Sequence, residues 1–351
     1  MKLLVITQKV SKNDPLLGFF HGWLVEFSKH FESIVAVCLE KGDYDLPANI
    51  KVLSLGKEAG KSRITQVGRL YRYVWQERGN YDAVFVHMNQ EYVILAGLLW
   101  RAMNKKVMMW RNHPYGNLLT RLAVLLSHKV FCTSEQSFVV KSAQSAKTAK
   151  VMIMPVGIDT GYFMHRSDIS KDFDKILYLG RISPVKNIDI IIKSIKAVKD
   201  SDTKMGLTVV GDSTDNGSYL DSLKAETNRL GISDSVAFMP SVTNQETPRY
   251  YNSYGYSINA TQSGSFDKTI CEAMACEQIV LTSNPALAGK VDDRLLFKEL
   301  DAADLAAKLG ALSKLPIAEL ENIGKNLRNF IIKEHSLSCL ASDVHTIADS
   351  L

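Results

Sequence analysis

The sequence has no long apolar run and few cysteines. Its apolar stretches fall short of the roughly 18 consecutive residues needed to span a bilayer, and the apolar run at the N-terminus stops at Gln8. We therefore expect neither a membrane-spanning helix nor a cleaved signal peptide. Five cysteines, at spacings that fit no zinc site, favour a reducing cytoplasm over a disulfide scaffold.

Charge is distributed unevenly along the chain. The net charge is +5, but residues 1–160 carry 21 Lys and Arg against 12 Asp and Glu, whereas the rest carries 21 against 25. The basic half is either an ordinary solvated surface or a region attracted to anionic lipid headgroups or to a phosphate-bearing acceptor. One helical pattern there has an apolar side with Leu70, Val74 and Trp75, which could equally pack into a core. Its surrounding cations are Lys57, Lys61, Arg63, Arg69, Arg72 and Arg78. We expect no nucleic-acid partner.

Strand-like and helix-like patterns alternate along the chain, which predicts an α/β architecture with parallel, doubly wound sheets. The alternation restarts after residue 165, so we predict one Rossmann-like domain over residues 1–165 and a second over residues 166–335. A final helix, residues 336–351, could pack back on the first domain. Ligands of such folds bind at the carboxyl ends of the strands. Two such edges that face each other would form a cleft for two substrates.

The segment over residues 177–189 has the pattern of an anion site. A predicted strand runs into Gly180 and Arg181, and a helix starts near Lys186 and Asn187. Glycine permits close approach of the backbone, arginine grips phosphate oxygens with two hydrogen bonds, and lysine adds a point charge. The helix N-terminus adds partial positive charge. We predict a diphosphate site that needs no magnesium, although a loop with two solvated cations would contain the same residues.

A second segment, residues 259–275, combines a strand end, a Ser/Gly loop and a helix. The loop offers backbone N–H groups to an anion, and Glu272 in the helix could accept hydrogen bonds from ribose hydroxyls. We also predict Gly211, at the end of another strand, in this pocket. The residues of the segment predicted to bind the ligand are Ser263, Gly264, Ser265, Asp267, Lys268, Thr269 and Glu272.

These two segments, preceded by the sequence PVGID over residues 155–159, resemble the family 4 retaining glycosyltransferases of the GT-B fold, and the match runs in order along nearly the whole chain. The resemblance implies that Arg181 and Lys186 hold the diphosphate of a nucleotide-diphosphate sugar and act in catalysis, and that Glu272 holds the ribose. It also implies retention of anomeric configuration without a cofactor or metal ion. His113, which follows a predicted strand, would act near the donor sugar unless it is a structural histidine.

Two features depart from the family pattern. Eight residues before Glu272, where the family has a first Glu, this chain has Gly264, and Asp267 could substitute for it. The residue that contacts the sugar therefore stays open. Gly18 and His21, after the first strand, resemble a loop that the family places near the acceptor and the diphosphate, although the double glycine of that loop is missing.

We therefore expect a cytoplasmic enzyme, peripheral on the inner face of the cell membrane if its basic half binds lipid. It would transfer a sugar to a glycan or lipid-linked acceptor in cell-surface polysaccharide or lipopolysaccharide synthesis. Two alternatives stay open: a sugar-nucleotide epimerase or hydrolase on the same fold, and a non-catalytic subunit of a polysaccharide-assembly complex. The triplet Asp43-Tyr44-Asp45 is interpreted as a surface loop rather than a metal site.

Overall fold

The structure of the chain, a computed structural model, describes residues 1–14, 16–138, 150–201, 203–261 and 266–351. The chain forms two compact units. Unit 1 comprises Met1–Gly157 together with Leu337–Leu351, and unit 2 comprises Ile158–Ser336. The chain therefore passes from one unit to the other twice, and its C-terminal helix is part of unit 1.

Unit 1 is built on a seven-stranded sheet with the order β3-β2-β1-β4-β5-β6-β7. All neighbouring strands pair in parallel, and the chain order reverses between β1 and β4. Such a reversal is the point at which doubly wound sheets bind ligands. Its elements are β1 (Lys2–Val10), α1 (Phe19–Phe27), β2 (Ser33–Lys41), β3 (Ile50–Ser54), α2 (Arg63–Gln76), β4 (Ala83–His87), α3 (Gln90–Ala102), β5 (Lys106–Trp110), α4 (Leu118–Leu126), β6 (Lys129–Cys132), β7 (Val151–Ile153) and the C-terminal helix Leu337–Ser350.

Both faces of the unit 1 sheet are covered by helices. Helices α2, α3 and α4 pack on one face, and α1 and the C-terminal helix pack on the other. Leu70 and Val74, on the apolar side of α2, are buried in the first of these cores, whereas Trp75 is 54% exposed. Core packing therefore accounts for two of the three apolar residues that the sequence suggested for a lipid contact.

Unit 2 is built on a five-stranded parallel sheet with the order β10-β9-β8-β11-β12. The chain order reverses between β8 and β11, so the carboxyl ends of β9, β8 and β11 lie side by side. Its elements are β8 (Asp172–Leu179), a 3₁₀ turn (Pro184–Lys186), α5 (Ile188–Asp200), β9 (Gly206–Val210), α6 (Ser218–Arg229), β10 (Val236–Met239), α7 (Thr247–Ser253), β11 (Tyr254–Asn259), α8 (Lys268–Ala275), β12 (Ile279–Thr282), α9 (Ala302–Leu312) and α10 (Ile317–His335). The C-terminal helix of unit 1 is then α11.

Arg328 on α10 joins the start of unit 2 to helix α8. Its guanidinium donates hydrogen bonds to the carbonyl oxygens of Phe163 at 3.1 Å and Thr160 at 3.2 Å, and it also donates to the carbonyl of Ala275. The half-buried Arg328 thus supplies hydrogen bonds to three backbone carbonyls that lie apart in the sequence. Helix α8 is thereby held at a fixed position beside the sheet edge.

The predicted alternation of strands and helices is confirmed, and the differences lie at the ends of elements. The sequence predicts β1 over residues 2–7, but the strand continues to Val10 because Lys9 and Val10 pair with Glu40 and Lys41 of β2. Lys9 Nζ also lies 2.5 Å from the Glu40 carboxylate. A helix is also predicted over residues 134–143, but residues 134–138 form turns rather than a helix, and residues 139–143 lie outside the described residues. Within the described ranges, no helix combines the length and apolar character required to cross a membrane.

Candidate functional site

Gly180 and Gly211 follow β8 and β9 at the carboxyl edge of the unit 2 sheet. Their backbones are in contact, since a Cβ on Gly211 would lie only 1.9 Å from the carbonyl oxygen of Gly180. The φ angles of +156° and +158° also disfavour a side chain at either position. The middle of this edge is therefore bare backbone, which a ligand can approach closely.

Lys186 and Asp267 form the polar centre of the same edge. Lys186 Nζ lies 2.6 Å from Asp267 Oδ2, and the two side chains are only 12% and 20% exposed. Asn259 Nδ2 and Thr261 Oγ1 each donate to that same oxygen at 2.8 Å. Burial raises the pKa of the Asp267 carboxyl, but the charge and hydrogen bond of Lys186, with those from Asn259 and Thr261, outweigh it and leave the pKa lowered. Lys186 is thus oriented and charge-balanced before a ligand binds.

Arg181 and Asn187 differ in how they are held. The Arg181 side chain is exposed, and its guanidinium makes no hydrogen bond or ion pair with the residues that the structure describes. Asn187 is buried, has a φ of +49°, and donates from Nδ2 to the carbonyl oxygen of Ala260 at 2.8 Å. Asparagine tolerates this left-handed conformation better than most residues. Arg181 is therefore available to a ligand, whereas the Asn187 amide joins the start of α5 to the end of β11.

The N-terminus of α5 differs from the open anion site that the sequence predicts. Tyr219 Oη accepts hydrogen bonds from the backbone N–H groups of Ile188 at 3.1 Å and Asp189 at 3.5 Å, and it donates to Asp189 Oδ1 at 3.2 Å. A tyrosine hydroxyl thus occupies two of the amides that would otherwise face an anion. The helix dipole still acts over this short range, but direct contacts are left to Arg181 and Lys186.

Helix α8 carries Lys268 and Glu272 one turn apart, with Thr269 half-buried between them. Glu272 Oε2 accepts a hydrogen bond from the buried hydroxyl of Tyr251 at 3.2 Å. Burial raises the pKa of Glu272 and lowers the pKa of Lys268, and each charge partly offsets the shift of the other. The predicted residues Ser263, Gly264 and Ser265 lie outside the described residues.

Across the described ranges, no three or more His, Cys, Asp or Glu residues are grouped in a way that could hold a metal ion. Asp43 and Asp45 are exposed in the loop that follows β2. Another Asp-x-Asp triplet, Asp172-Phe173-Asp174, lies at the start of β8, at the opposite edge of the sheet from Lys186, and Asp172 pairs with Lys175 at 2.9 Å.

In unit 1 the carboxyl ends of β1, β4 and β5 line a cavity of about 320 Å³. Its lining contains the amide and imidazole side chains of Gln8, His87, Asn89, Gln90, Asn112 and His113, together with the charged residues Glu91 and Arg111. Gln8 Nε2 donates to Asn89 Oδ1 at 2.9 Å, so the amides are ordered by each other. Amides both donate and accept hydrogen bonds, and this lining therefore suits a polyhydroxylated ligand.

His113 is exposed in the loop that follows β5, at this cavity. The backbone N–H of Tyr115 donates to its Nδ1 at 3.2 Å. The buried Arg111 donates to the carbonyl oxygens of His113 at 2.8 Å and Tyr115 at 2.5 Å, and from Nε to Gln90 Oε1 at 3.2 Å. Arg111 thus fixes the loop, and the exposed imidazole of His113 differs from a buried structural histidine.

Gly18 and His21 have other surroundings. Neither is among the described residues that line the unit 1 cavity. Gly18 precedes α1, and a Cβ there would lie 2.5 Å from the carbonyl oxygen of Asp14. His21 Nε2 accepts a hydrogen bond from the backbone N–H of Asp45 at 3.1 Å, and burial lowers its pKa. In this structure His21 supports the loop after β2.

Solved structures match the whole chain. Anabaena Alr3699/HepE in complex with UDP superposes with a TM-score of 0.79, covering 100% of both chains at 16% sequence identity. Sucrose-phosphate synthase from Thermosynechococcus elongatus superposes with a TM-score of 0.73 over 100% of this chain and 99% of that one, at 14% identity. The fold is GT-B. Units 1 and 2 are its two Rossmann-like, parallel-sheet domains.

Sequence comparisons match part of the chain, and the family match falls in the second GT-B domain. Residues 163–330 match the family model of glycosyl transferases group 1. Alpha-monoglucosyldiacylglycerol synthase of Streptococcus pneumoniae is 29% identical over 236 residues, which cover 58% of this chain and 51% of that protein. D-inositol 3-phosphate glycosyltransferase of Segniliparus rotundus is 26% identical over 155 residues, covering 42% and 33%. The chain therefore spans about half or less of the length of these relatives.

Several residues at the two GT-B strand edges were missed from the sequence. Asn259 and Thr261 stand at alternate positions where β11 ends, which was a usable sign that both side chains point the same way. Arg111 directly follows β5, two residues before His113, and its position could also have been noticed. Tyr219 gave no such sign, because its contact with α5 joins two helices about 30 residues apart in the chain and depends on how they pack.

Proposed function

We propose that the chain is a metal-independent, retaining glycosyltransferase of family 4 that uses a nucleotide-diphosphate sugar as donor. The observation that carries the proposal is that two cations, one exposed and one held in position by a carboxylate, lie beside backbone that has no side chains. Arg181 is exposed without a partner among the described residues, and Lys186 is held by Asp267 next to the Gly180–Gly211 contact. Two cations of this kind suit a diphosphate, whose oxygens need both charge and directed hydrogen bonds.

The donor would bind to unit 2. Glu272, on α8, would accept hydrogen bonds from the ribose, and Tyr251 would hold the carboxylate in position. The GT-B protein HepE has been solved with UDP and with UDP-glucose, so UDP is the first nucleotide to test. Asp267 has one carboxylate oxygen committed to three donors, which makes it a support for Lys186 rather than a replacement for the missing first Glu.

The acceptor would bind to the cavity of unit 1. Its amides suit the hydroxyl groups of a glycan or of a lipid-linked sugar. One relative is named a monoglucosyldiacylglycerol synthase and another a D-inositol 3-phosphate glycosyltransferase, so a lipid-linked acceptor is the class we propose first. The setting would be cell-surface polysaccharide or lipopolysaccharide synthesis, with the enzyme in the cytoplasm and peripheral at the inner membrane face.

Transfer would proceed by departure of the nucleoside diphosphate and attack by an acceptor hydroxyl on the same face of the sugar. Negative charge grows on the departing phosphate, and preorganised cations at Arg181 and Lys186 would stabilise it. The departing phosphate would take the proton of the acceptor hydroxyl, and His113 would contact the donor sugar in the reacting complex. A double displacement would require a free carboxylate beside the sugar, and the proposal does not invoke one.

The test combines binding with transfer. Titration calorimetry with UDP should detect binding to the wild-type chain, and Arg181→Ala and Lys186→Ala should each weaken it by about 1.5–3 kcal/mol, the range for hydrogen bonds to charged groups. Lys193→Ala, on an exposed turn of α5, is the control. Unchanged affinity in both site variants would remove the diphosphate assignment. Release of UDP from UDP-sugars without any acceptor would instead favour a hydrolase, and binding without turnover would favour a non-catalytic subunit.

A further inference from the structure

Helix α4 of unit 1 buries only one side of a strongly apolar sequence. Its inward residues, Thr120, Ala123, Val124 and Leu126, are buried. On the outward side Leu118 is 77% exposed, Leu119 49%, Leu122 40% and Leu125 66%. Folded monomers rarely leave a contiguous apolar surface of this kind without a function.

The apolar surface continues onto α3. The two helices are in close contact, because a Cβ on Gly97 of α3 would lie 3.0 Å from the side chain of Leu126 of α4. Leu98, the next residue on α3, is 70% exposed. We call Leu98, Leu118, Leu119, Leu122 and Leu125 the leucine face. The described residues leave all five of these side chains open to solvent.

The charges around the leucine face have one predominant sign. Arg121 lies on α4 itself and Arg101 ends α3, and both are exposed. Helices α2, α3 and α4 together contain five arginines and one glutamate. Helix α2 lies beside α3, since Tyr71 Oη donates a hydrogen bond to the carbonyl oxygen of Leu95 at 2.7 Å. It adds the exposed aromatic rings of Tyr71 and Trp75 to this surface. Apolar side chains bordered by arginine and by interfacial aromatic residues fit the boundary between lipid headgroups and acyl chains.

We propose that the leucine face inserts into the headgroup region of an anionic lipid bilayer, with Arg101 and Arg121 on lipid phosphates. Arginine can extend along an apolar surface while its charge stays at the polar layer, and anionic lipids attract such clusters. Helix α4 starts at Leu118, five residues after His113, so docking would bring the unit 1 cavity to the membrane surface. The inference deepens the peripheral membrane placement proposed above, and its test by vesicle binding is separate from any test of glycosyl transfer.

The experiment is flotation of the full chain with vesicles of phosphatidylcholine, with and without phosphatidylglycerol. The wild type should float with the anionic vesicles. Leu118→Gln/Leu125→Gln should lower the partition coefficient by at least about tenfold, since each leucine loses its burial in lipid. Arg101→Gln/Arg121→Gln should lower binding to anionic vesicles only. Ile317→Gln/Ile332→Gln, which removes two exposed residues of α10 in unit 2, should bind as the wild type does.

Three results would overturn the inference. If the wild-type protein does not float with anionic vesicles even at low salt, the leucine face is not a lipid-docking surface. Equal binding by the leucine and Ile317/Ile332 variants would put the contact elsewhere. A wild-type dimer that the leucine variant converts to a monomer in analytical ultracentrifugation, without vesicle binding, would make the leucine face a contact between copies of this chain. If the double variant fails to fold, the single variant Leu125→Gln replaces it, because that side chain is largely in solvent.

Discussion

The ion pair between Lys186 and Asp267 leads to a prediction in which stability and ligand affinity change in opposite directions. Asp267→Asn keeps the shape of the side chain and an oxygen that can accept from Asn259 and Thr261, but it removes the charge that balances Lys186. Removing one member of a buried ion pair costs about 3–5 kcal/mol in other proteins. Because these side chains keep 12% and 20% exposure, we expect a loss of unfolding free energy near the lower limit, about 3 kcal/mol.

Nucleoside diphosphate should bind the same variant more tightly. In the wild type, the Asp267 carboxylate repels the incoming phosphates and shares Lys186 with them. Two charges about 8 Å apart interact by about 2 kcal/mol at an effective dielectric constant of about 20. We therefore expect UDP affinity to rise by roughly 5–30-fold in Asp267→Asn, and saturating UDP to restore much of the lost stability by binding only the folded state.

Urea unfolding with and without UDP, together with titration calorimetry, measures both effects. Asp234→Asn is the matched control, since Asp234 also lies 2.6 Å from a lysine, Lys199, but is exposed, and it should change neither quantity. A fall in UDP-sugar affinity with unchanged UDP affinity would refute this reasoning. It would mean that Asp267 contacts the donor sugar, as the sequence alone suggested.

Three further outcomes follow from the structure. Burial, and to a smaller extent Lys290, lowers the pKa of His335 to about 4. Between pH 6.5, about the pKa in the unfolded state, and pH 4 the unfolded state binds more protons than the folded one, so the free energy of unfolding should fall by up to about 3 kcal/mol as the pH falls through that range. His335→Phe should flatten the dependence of the melting temperature on pH. Glu272→Ala should weaken UDP binding, whereas His113→Ala should lower turnover with nearly unchanged UDP affinity and melting temperature. If His113→Ala unfolds instead, His113 has a structural role and not a catalytic one. EDTA should leave transfer intact, and a loss restored by manganese or magnesium would contradict metal independence.

The fold could be predicted from the sequence because each strand and helix is marked by a pattern within its own short segment. Five-residue strands such as AVFVH over residues 83–87 are buried throughout, and they alternate with helical patterns, which is the signature of a parallel sheet covered on both faces. Gly180, Arg181 and Lys186 were also accessible, because they lie within seven residues at one strand end. Their common position at a sheet edge follows from the chain order alone.

The partners of these residues were not accessible, because they come from distant parts of the chain. Lys186 meets Asp267 across 81 positions, and no periodicity within either segment indicates that contact. Tyr219 over the α5 amides is of the same kind. The exposed leucines of α4 illustrate a different limit. The segment LLTRLAVLL is apolar on nearly every side, and only packing reveals which leucines are covered by protein.

The arrangement of the two cations bears on how a donor would be recognised. An unpaired arginine pays the entropy of ordering its side chain when the ligand binds, whereas Lys186 has already been ordered by Asp267. Lys186 therefore presents its ammonium group to a phosphate in a fixed position, but the Asp267 carboxylate competes with that phosphate for it. Arg181 carries no such competitor among the described residues, so its contribution to diphosphate affinity should be the larger of the two. The same comparison explains why Asp267 is a poor candidate for contact with the sugar: a carboxylate that left Lys186 to reach a sugar hydroxyl would give up a 2.6 Å ion pair and two hydrogen bonds in exchange for one neutral partner.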